Sequence, residues 1–362
     1  MQNAASVKSR NHGIDLLRVI LSFCVIMIHI LHYGGFEERM DSTSGGFYLL
    51  WVIGATLNCT VNCFAMISGF VLYDQEIRYK NIFRLFLIAL YHGVFITALF
   101  RIFLPHAVTY ENWIEALFPV SQEEFWYFTA YVGAFFFAPF VIQGMRALSK
   151  KQADTLVFAL VFLFSVVPTF GASDPFQLKQ GYSALWLLVL LVIGTYLKKY
   201  YATFQLKKHV LIGIFAGSVL VTCLGMVLSE MYPRFSGIHL LEYTSPTMVL
   251  AAISAVLLFS SLSVPNVIKK VSNFCVPFSF GIYLIHEHPL VRENLIKGKF
   301  LSDVSTSAIS KLITVLLGTL VIWLGCFVLE FVRRLVFRLL CVERAIERVE
   351  QRLIDDNEDL QS

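Results

Sequence analysis

Ten apolar segments of about 17–27 residues are the feature that most constrains the fold of this chain. A helix of about 20 apolar residues spans the hydrocarbon core of a bilayer. The chain is 57% hydrophobic and 15% charged, with a mean hydropathy of +0.69, which is far more apolar than a soluble domain. The sequence therefore predicts an all-α polytopic membrane protein with about ten transmembrane helices. The predicted segments are residues 13–33, 47–73, 82–104, 125–145, 154–171, 182–198, 209–229, 246–264, 273–290 and 306–332.

Basic residues at the ends of these segments predict the topology. Lysine and arginine concentrate in cytoplasmic loops, and alternate loops of this chain are basic, so both termini are predicted to be cytoplasmic. The last outer loop is the exception, because Arg292, Lys297 and Lys299 outnumber Glu293 and Asp303. The net charge of +4 is modest, and no nucleic-acid surface is expected.

The segments divide the chain into a membrane domain and two tails. We assign residues 1–12 to a cytoplasmic N-terminal tail, 13–332 to the membrane domain and 333–362 to a charged cytoplasmic C-terminal tail. The first segment lacks a small-residue cleavage site, so we interpret it as a retained helix rather than a signal peptide. Apolar residues on one face of residues 342–353 predict an amphipathic helix at the inner membrane surface, with a partner-binding helix as the alternative.

The first segment carries two polar residues that are costly in a membrane, Arg18 and His29. They are eleven positions apart, which places them on one helix face about 16 Å apart along the axis. The topology puts Arg18 near the cytoplasmic end and His29 near the outer end. A guanidinium binds phosphate, and a neutral imidazole serves as a general base. The alternatives are that Arg18 belongs to the basic flank and pairs with Asp15, and that His29 bonds to a backbone carbonyl at the interface.

Two further stretches are the second predicted segment and the loop that follows it. Asn58 and Asn62 are one turn apart, and they are predicted either as site residues or as polar contacts that join helices. The pair Ser68–Gly69 indicates either ligand contact or a close approach of two helices. The basic stretch 78–84 is typical of a loop that sets topology or meets anionic lipids, and a phosphate-rich cytosolic ligand is the alternative.

Aromatic residues begin the fourth segment at its predicted outer end. Trp126 and Tyr127 indicate either an interfacial aromatic belt or a surface that stacks on sugar rings. We interpret Glu123 and Glu124, just before them, as solvated loop charges.

The ninth segment places Ser279, Tyr283 and His286 on one helix face. His286 is predicted to lie level with His29. Glu287 and His288 follow, but their number and spacing are poor for a metal site, and we predict no metal. The seven cysteines are interpreted as buried thiols without a metal or redox role.

Taken together, these segments resemble the membrane-bound acyltransferase family 3, whose members O-acylate cell-surface polysaccharides and lipids. The resemblance runs from about His12 to Phe331 and begins with GIDLLR and the Arg-x10-His spacing of Arg18 and His29. The other matching stretches are NCFAMISGFVL, RYKNIFRLF, FWYFTAYVGAFFFAPF, GYSALWLLVLLVIGTYLKKY and FGIYLIHEHPLVREN. The basic loop departs from the family pattern, since it has Lys80-x3-Arg84 instead of two arginines three apart.

The resemblance implies an acyl-CoA donor, usually acetyl-CoA, on the cytoplasmic side and a hydroxyl acceptor near the outer side. The acceptor would be a cell-surface polysaccharide or a lipid-linked sugar, and the enzyme a multi-pass protein of the bacterial cytoplasmic membrane, in contact with membrane lipid. The residues assigned to catalysis are His29, Arg18, Trp126, Tyr127 and His286. The residues assigned to the donor are Arg18, Ser68, Lys80 and Arg84.

Several alternatives stay open at this point. Transfer is either direct, with His29 as base, or through an acyl-enzyme. Ser68, Tyr127 and Tyr283 are candidates for stabilising the oxyanion. A glycan or lipid-linked-sugar transporter or flippase would use the same polar face of the first helix, which carries Arg18 and His29. A glycan polymerase or ligase is a third hypothesis. The acceptor, the acyl group and the oligomeric state are not predicted.

Overall fold

The structure is a computed structural model that describes residues 10–36, 45–171, 173–204, 206–232, 238–300 and 307–359. The predicted tail residues 1–9, the acidic loop 37–41 and Asp303 lie outside the described residues. The described residues form helices and no strand, which confirms the all-α class.

Fourteen helices of eight residues or more organise the described part of the chain. They are α1 (His12–Tyr33), α2 (Gly45–Leu57), α3 (Thr60–Leu72), α4 (Lys80–Phe103), α5 (Tyr110–Leu117), α6 (Trp126–Ala147), α7 (Lys150–Phe170, with a π turn at Phe162–Val166), α8 (Ala184–Lys199), α9 (Lys208–Met231), α10 (Pro246–Ser260), α11 (Asn266–Cys275), α12 (Ser279–Glu287), α13 (Ala308–Leu339) and α14 (Val342–Asp359).

Seven helical stretches within the described ranges are long and apolar enough to cross a membrane. The stretch Tyr48–Leu72 counts as one of them, although it joins α2 and α3 at a turn. Three of the ten predicted segments lack a single helix of spanning length. The segment 182–198 holds the 16 residues of α8, the segment 246–264 holds the 15 of α10, and 273–290 is broken between α11 and α12.

Serine side chains fix where several helices begin. The Ser183 hydroxyl accepts a hydrogen bond from Trp186 N at the start of α8, and Ser307 does the same for Ser310 N at the start of α13. Ser245 caps α10, where Pro246 occupies the first helical position. Such caps satisfy backbone N–H groups that have no partner inside the helix.

The described chain forms two compact units, and α1 contributes to both. The first unit contains residues 1–28, 42–76 and 133–277, and the second contains 29–41, 77–132 and 278–362. His29 is therefore the first residue of the second unit, whereas Arg18 belongs to the first.

Close backbone packing holds the first unit together. A Cβ on Gly69 of α3 would lie 2.1 Å from Leu191 O of α8, and a Cβ on Gly194 of α8 would lie 2.0 Å from Met66 O of α3. The glycines therefore allow the two helices to touch along their backbones. This confirms the close-approach interpretation of Ser68–Gly69.

The same unit uses neutral polar contacts. The Asn62 amide donates to Tyr243 O at 2.8 Å and accepts from Trp186 Nε1 at 3.1 Å, and the Asn58 amide donates to Leu241 O. All three side chains are buried, so these bonds join α3 to α8, and join α3 and the turn before it to the segment before α10. The helix-joining interpretation of both asparagines is confirmed.

Charged groups are buried in the second unit. Glu330 of α13 receives Arg333 Nε at 2.9 Å and lies 2.9 Å from His92 Nε2 of α4. These three side chains are at most 7% exposed. Gly281 of α12 makes the space, because a Cβ there would lie 2.2 Å from Glu330 Oε2.

Candidate active site

His29 lies at the end of α1 and faces a buried carboxylate. Its Nδ1 is 2.8 Å from Glu287 Oε2, and the two side chains are 14% and 3% exposed. Glu287 is the last residue of α12, which ends there because Pro289 follows His288. A carboxylate beside an imidazole orients the ring and stabilises its protonated form.

Arg292 contacts the other oxygen of the same carboxylate. Its Nη1 lies 2.9 Å from Glu287 Oε1, and its guanidinium lies 5.4 Å from the centre of the Tyr33 ring. Glu287 is thus held between an imidazole and a guanidinium, which compensates the cost of burying its charge. This pairing also accounts for one of the basic residues that made the last predicted outer loop an exception.

His286 is the second imidazole of the site. It is fully buried, its ring centre is 5.0 Å from that of His29, and its Nδ1 lies 2.6 Å from Ile282 O. Because a carbonyl only accepts, Nδ1 carries the proton and Nε2 has a free lone pair. Nε2 has no hydrogen-bond partner among the described residues.

Aromatic rings connect His286 to the start of α6. Tyr283 lies 6.2 Å from His286 and 5.9 Å from Tyr127, and Trp126 lies 5.6 Å from Tyr127, between ring centres. The Tyr283 hydroxyl is buried and makes no hydrogen bond within the described residues. The structure therefore brings four predicted residues into one cluster with Tyr283: His29, His286, Trp126 and Tyr127.

One nitrogen from each of the two histidines and an oxygen of Glu287 lie within 4.8 Å of one another. Two imidazoles and a carboxylate form a common metal-ligand set. Arg292 places a fixed positive charge on the same carboxylate, which opposes a second cation there. The absence of a metal stays a prediction.

Glu124 corrects the sequence interpretation, because it is buried and not a solvated loop charge. Its Oε1 lies 3.4 Å from His288 Nε2, and its Oε2 has no partner among the described residues. Burial, and secondarily the charge of Glu115, raises the pKa of Glu124 to about 8. Helix α4 leaves room for the carboxyl at Gly93, where a Cβ would lie 2.9 Å from Oε2.

The basic residues assigned to the donor form ion pairs with the C-terminal helix. Lys80 Nζ lies 2.5 Å from Glu350 Oε2, and the Arg84 guanidinium reaches Glu343 at 2.7 Å through Nη2. Helix α14 extends beyond the predicted 342–353 and packs on α4, with Ile346 2% exposed.

Arg18 and Ser68 belong to the first unit. Arg18 lies on α1, where the neighbouring Asp15 receives Arg10 Nε at 2.5 Å. The Ser68 hydroxyl donates to Phe64 O within α3 at 3.1 Å. Their assignment to the donor stays a prediction.

Sequence reasoning gave no role to Glu287 and Arg292, which complete the His29 site. Glu287 follows His286 in the broken ninth segment and Arg292 lies just beyond its end, and their spacing was considered only as a metal motif. A second signal was present, because an acidic residue in an apolar stretch is as costly as Arg18 and indicates a buried partner.

The helices and this site define a class of protein, a multi-span membrane protein whose buried imidazole–carboxylate pair is suited to general-base chemistry. The chain matches the acyltransferase domain of acyltransferase family 3 over residues 11–331, and it belongs to that family. The resemblance drawn from its motifs is confirmed. No curated protein and no solved structure matches the chain. Family membership supports a membrane acyltransferase and does not favour a transporter or flippase.

Proposed function

We propose that this protein is an integral-membrane O-acyltransferase that moves an acyl group, acetyl in the simplest case, from acyl-CoA to a hydroxyl of a cell-envelope glycan or lipid-linked sugar. The observation that carries the proposal is the 2.8 Å contact between His29 Nδ1 and Glu287 Oε2 in a chain of this family. A base of this kind is what a neutral hydroxyl needs before it attacks a thioester.

In the proposed reaction, the Glu287 carboxylate, 2.8 Å from Nδ1, electrostatically favours the His29 tautomer with its proton on Nδ1, so Nε2 accepts the proton of the acceptor hydroxyl. The hydroxyl oxygen bonds to the thioester carbonyl carbon and the carbon–sulfur bond breaks. The thiolate of CoA then takes the proton from His29 Nε2, which restores the neutral imidazole. The sum is an ester plus free CoA, without a further reactant.

The buried groups near the base suit the acceptor. His286 Nε2 offers a lone pair to a sugar hydroxyl, and the Tyr283 hydroxyl offers a donor to the oxyanion. Tyr127 and Trp126 present ring faces and edges on which a sugar ring packs.

The donor phosphates would bind at Lys80 and Arg84, where α4 begins. His288 Nε2, next to Glu287, lies 3.3 Å from Gly93 O and 3.4 Å from Thr97 Oγ1 on the same helix. At 1.5 Å per residue, those positions are about 14–20 Å beyond Arg84. CoA suits this separation, because a long pantetheine arm joins its phosphates to its thioester.

The proposed orientation has both termini in the cytoplasm and ten spans. The ion pairs of Lys80 and Arg84 with α14 support one part of it, because they put the C-terminal helix and the start of α4 on the same face of the membrane. The basic flanks at these ends favour the cytoplasmic side.

The test is acyl transfer by purified protein in vesicles, with labelled acetyl-CoA and a glycan acceptor. His29→Ala is expected to lower kcat by about 10²–10⁴-fold, the usual contribution of a general base. His32→Ala is the matched control, because His32 is an exposed residue on the same helix. Undiminished transfer by correctly inserted His29→Ala protein would remove His29 from the mechanism.

A further inference from the structure

The C-terminal helix α14 forms ion pairs with two basic residues in the first two turns of α4. Glu343 and Glu350 are seven residues apart, which is about two turns, so they share one face of α14. Their partners Arg84 and Lys80 are four apart on one face of α4. Ile346, midway between the two glutamates, is almost fully buried and anchors the same face.

The pairing has the geometry of anion recognition. Arg84 Nε lies 2.9 and 3.1 Å from the two Glu343 oxygens, and Nη2 adds a contact at 2.7 Å. A guanidinium fork binds a carboxylate and a phosphate in the same planar way. Lys80 stands at the first position of α4, where the helix dipole adds further positive potential.

The contacts are exchangeable because they are only partly buried. The side chains of Arg84 and Glu343 are 33% and 52% exposed, and those of Lys80 and Glu350 are 17% and 21% exposed. Exposed pairs of this kind contribute little to stability. By contrast, each carboxylate cancels a positive charge that a phosphorylated ligand would need.

We propose that α14 is an autoinhibitory helix whose Glu343 and Glu350 compete with the phosphates of the acyl donor for Arg84 and Lys80. The inference rests on the proposed function, which places the donor at these two cations. In the closed arrangement the two cations are neutralised by the two carboxylates. Donor binding requires α14 to release them, and the apparent donor affinity is reduced by the fraction of molecules that are closed.

The experiment measures CoA binding and acyl-CoA kinetics on the full-length protein. Glu343→Gln/Glu350→Gln keeps the side-chain shape and removes both charges. The dissociation constant for CoA and the KM for acyl-CoA are expected to fall together by about two- to tenfold, the range for losing two partly exposed ion pairs, with kcat unchanged. Unchanged or weaker CoA binding by this variant would overturn the proposal.

Glu347→Gln is the matched control. Glu347 lies on the same helix and is exposed, so the variant loses the same charge from the tail without touching Lys80 or Arg84. A single Glu343→Gln is expected to tighten CoA binding, and Glu347→Gln to leave it at the wild-type value. Equally tighter CoA binding by both variants would show a general effect of tail charge and contradict specific competition by Glu343 and Glu350.

Two more variants separate this inference from the proposed function. Lys80→Ala and Arg84→Ala are expected to weaken CoA binding; if they do not, the donor site itself is misplaced. If they do and the glutamine variants change nothing, only the autoinhibitory helix fails. Truncation after Cys341 removes α14 entirely and is expected to tighten CoA binding. This variant tests the proposal even if a glutamine variant does not fold.

Discussion

The helices inside the first unit and those inside the second are joined by different kinds of contact. The first unit joins its helices through glycine contacts and neutral amides, as at Gly69, Gly194 and Asn62. The second buries ionisable side chains at Glu330 and at Glu287. Neutral contacts give a stable scaffold at little electrostatic cost, whereas buried charges are costly unless they are paired. Charges concentrated in one unit indicate where the chemistry is.

The largest effect is expected from the buried cluster that supports the second unit. Glu330→Ala leaves Arg333 and His92 buried without their partner, so it is expected to lower the free energy of unfolding by about 3–5 kcal/mol. Thermal unfolding in detergent measures the change. Glu343→Ala, which breaks an exposed pair, is the control and is expected to cost at most about 1 kcal/mol. Equal losses of unfolding free energy for the two variants would contradict the distinction between buried and exposed charges.

The next effect is on catalysis. Glu287→Ala removes the carboxylate that orients His29, and kcat is expected to fall by about 10²–10³-fold while the KM for acyl-CoA stays near its wild-type value. Glu111→Gln is the control, because Glu111 is an exposed residue in the first turn of α5. A Glu287 variant with normal kcat would show that the pair is only structural.

The glycine contacts of the first unit can be tested by measuring the free energy of unfolding. Gly194→Ala would put a Cβ 2.0 Å from a backbone oxygen, so we expect it to cost about 2–3 kcal/mol of unfolding free energy without changing the KM of surviving protein. Gly213→Ala, in α9 with no atom within 4 Å, is expected to be neutral or slightly stabilising. A tolerated Gly194→Ala would mean that α3 and α8 do not depend on the close approach.

The last effect concerns Glu124 and depends on pH. Its pKa rises from 4.5 to about 8 on folding, so the folded protein binds the extra proton and stability falls as the pH rises from about 4.5 to about 8. Glu124→Gln is expected to remove this loss, so its stability should be close to that of wild type at pH 4 and should exceed it increasingly as the pH rises to about 8. Parallel pH profiles for the two proteins would contradict a buried protonated carboxyl.

The sequence predicted the helical class, the spacing of Arg18 and His29 along one face of α1, and the aromatic and histidine members of the His29 cluster. These depend on local patterns, such as an apolar run or the spacing of Arg18 and His29. The break of the ninth segment, the burial of Glu124 and the pairing of Glu287 with His29 were not predicted. Each depends on contacts between residues distant in the chain, which periodicity does not encode.

The number of spanning helices is another property that local sequence patterns do not determine. Hydropathy identified an apolar segment at 273–290, but Pro277 and Pro289 divide it into α11, α12 and a short helical turn. The division ends α12 at Glu287 and lets Glu287 and His288 contact different partners, His29 and Glu124. The irregularity therefore belongs to the site, in line with broken helices at membrane binding sites in general.

The central claim is that the donor binds at the Lys80 and Arg84 end of the second unit and the acyl group is delivered at His29. Acyl transfer in sealed vesicles, with labelled acetyl-CoA on one face only, tests it most directly. Exposed Cys341, between α13 and α14, reports the orientation of each preparation through an impermeant maleimide. The account predicts labelled glycan ester only when acetyl-CoA is on the Cys341 face. Equal labelling with acetyl-CoA confined to the opposite face would contradict it.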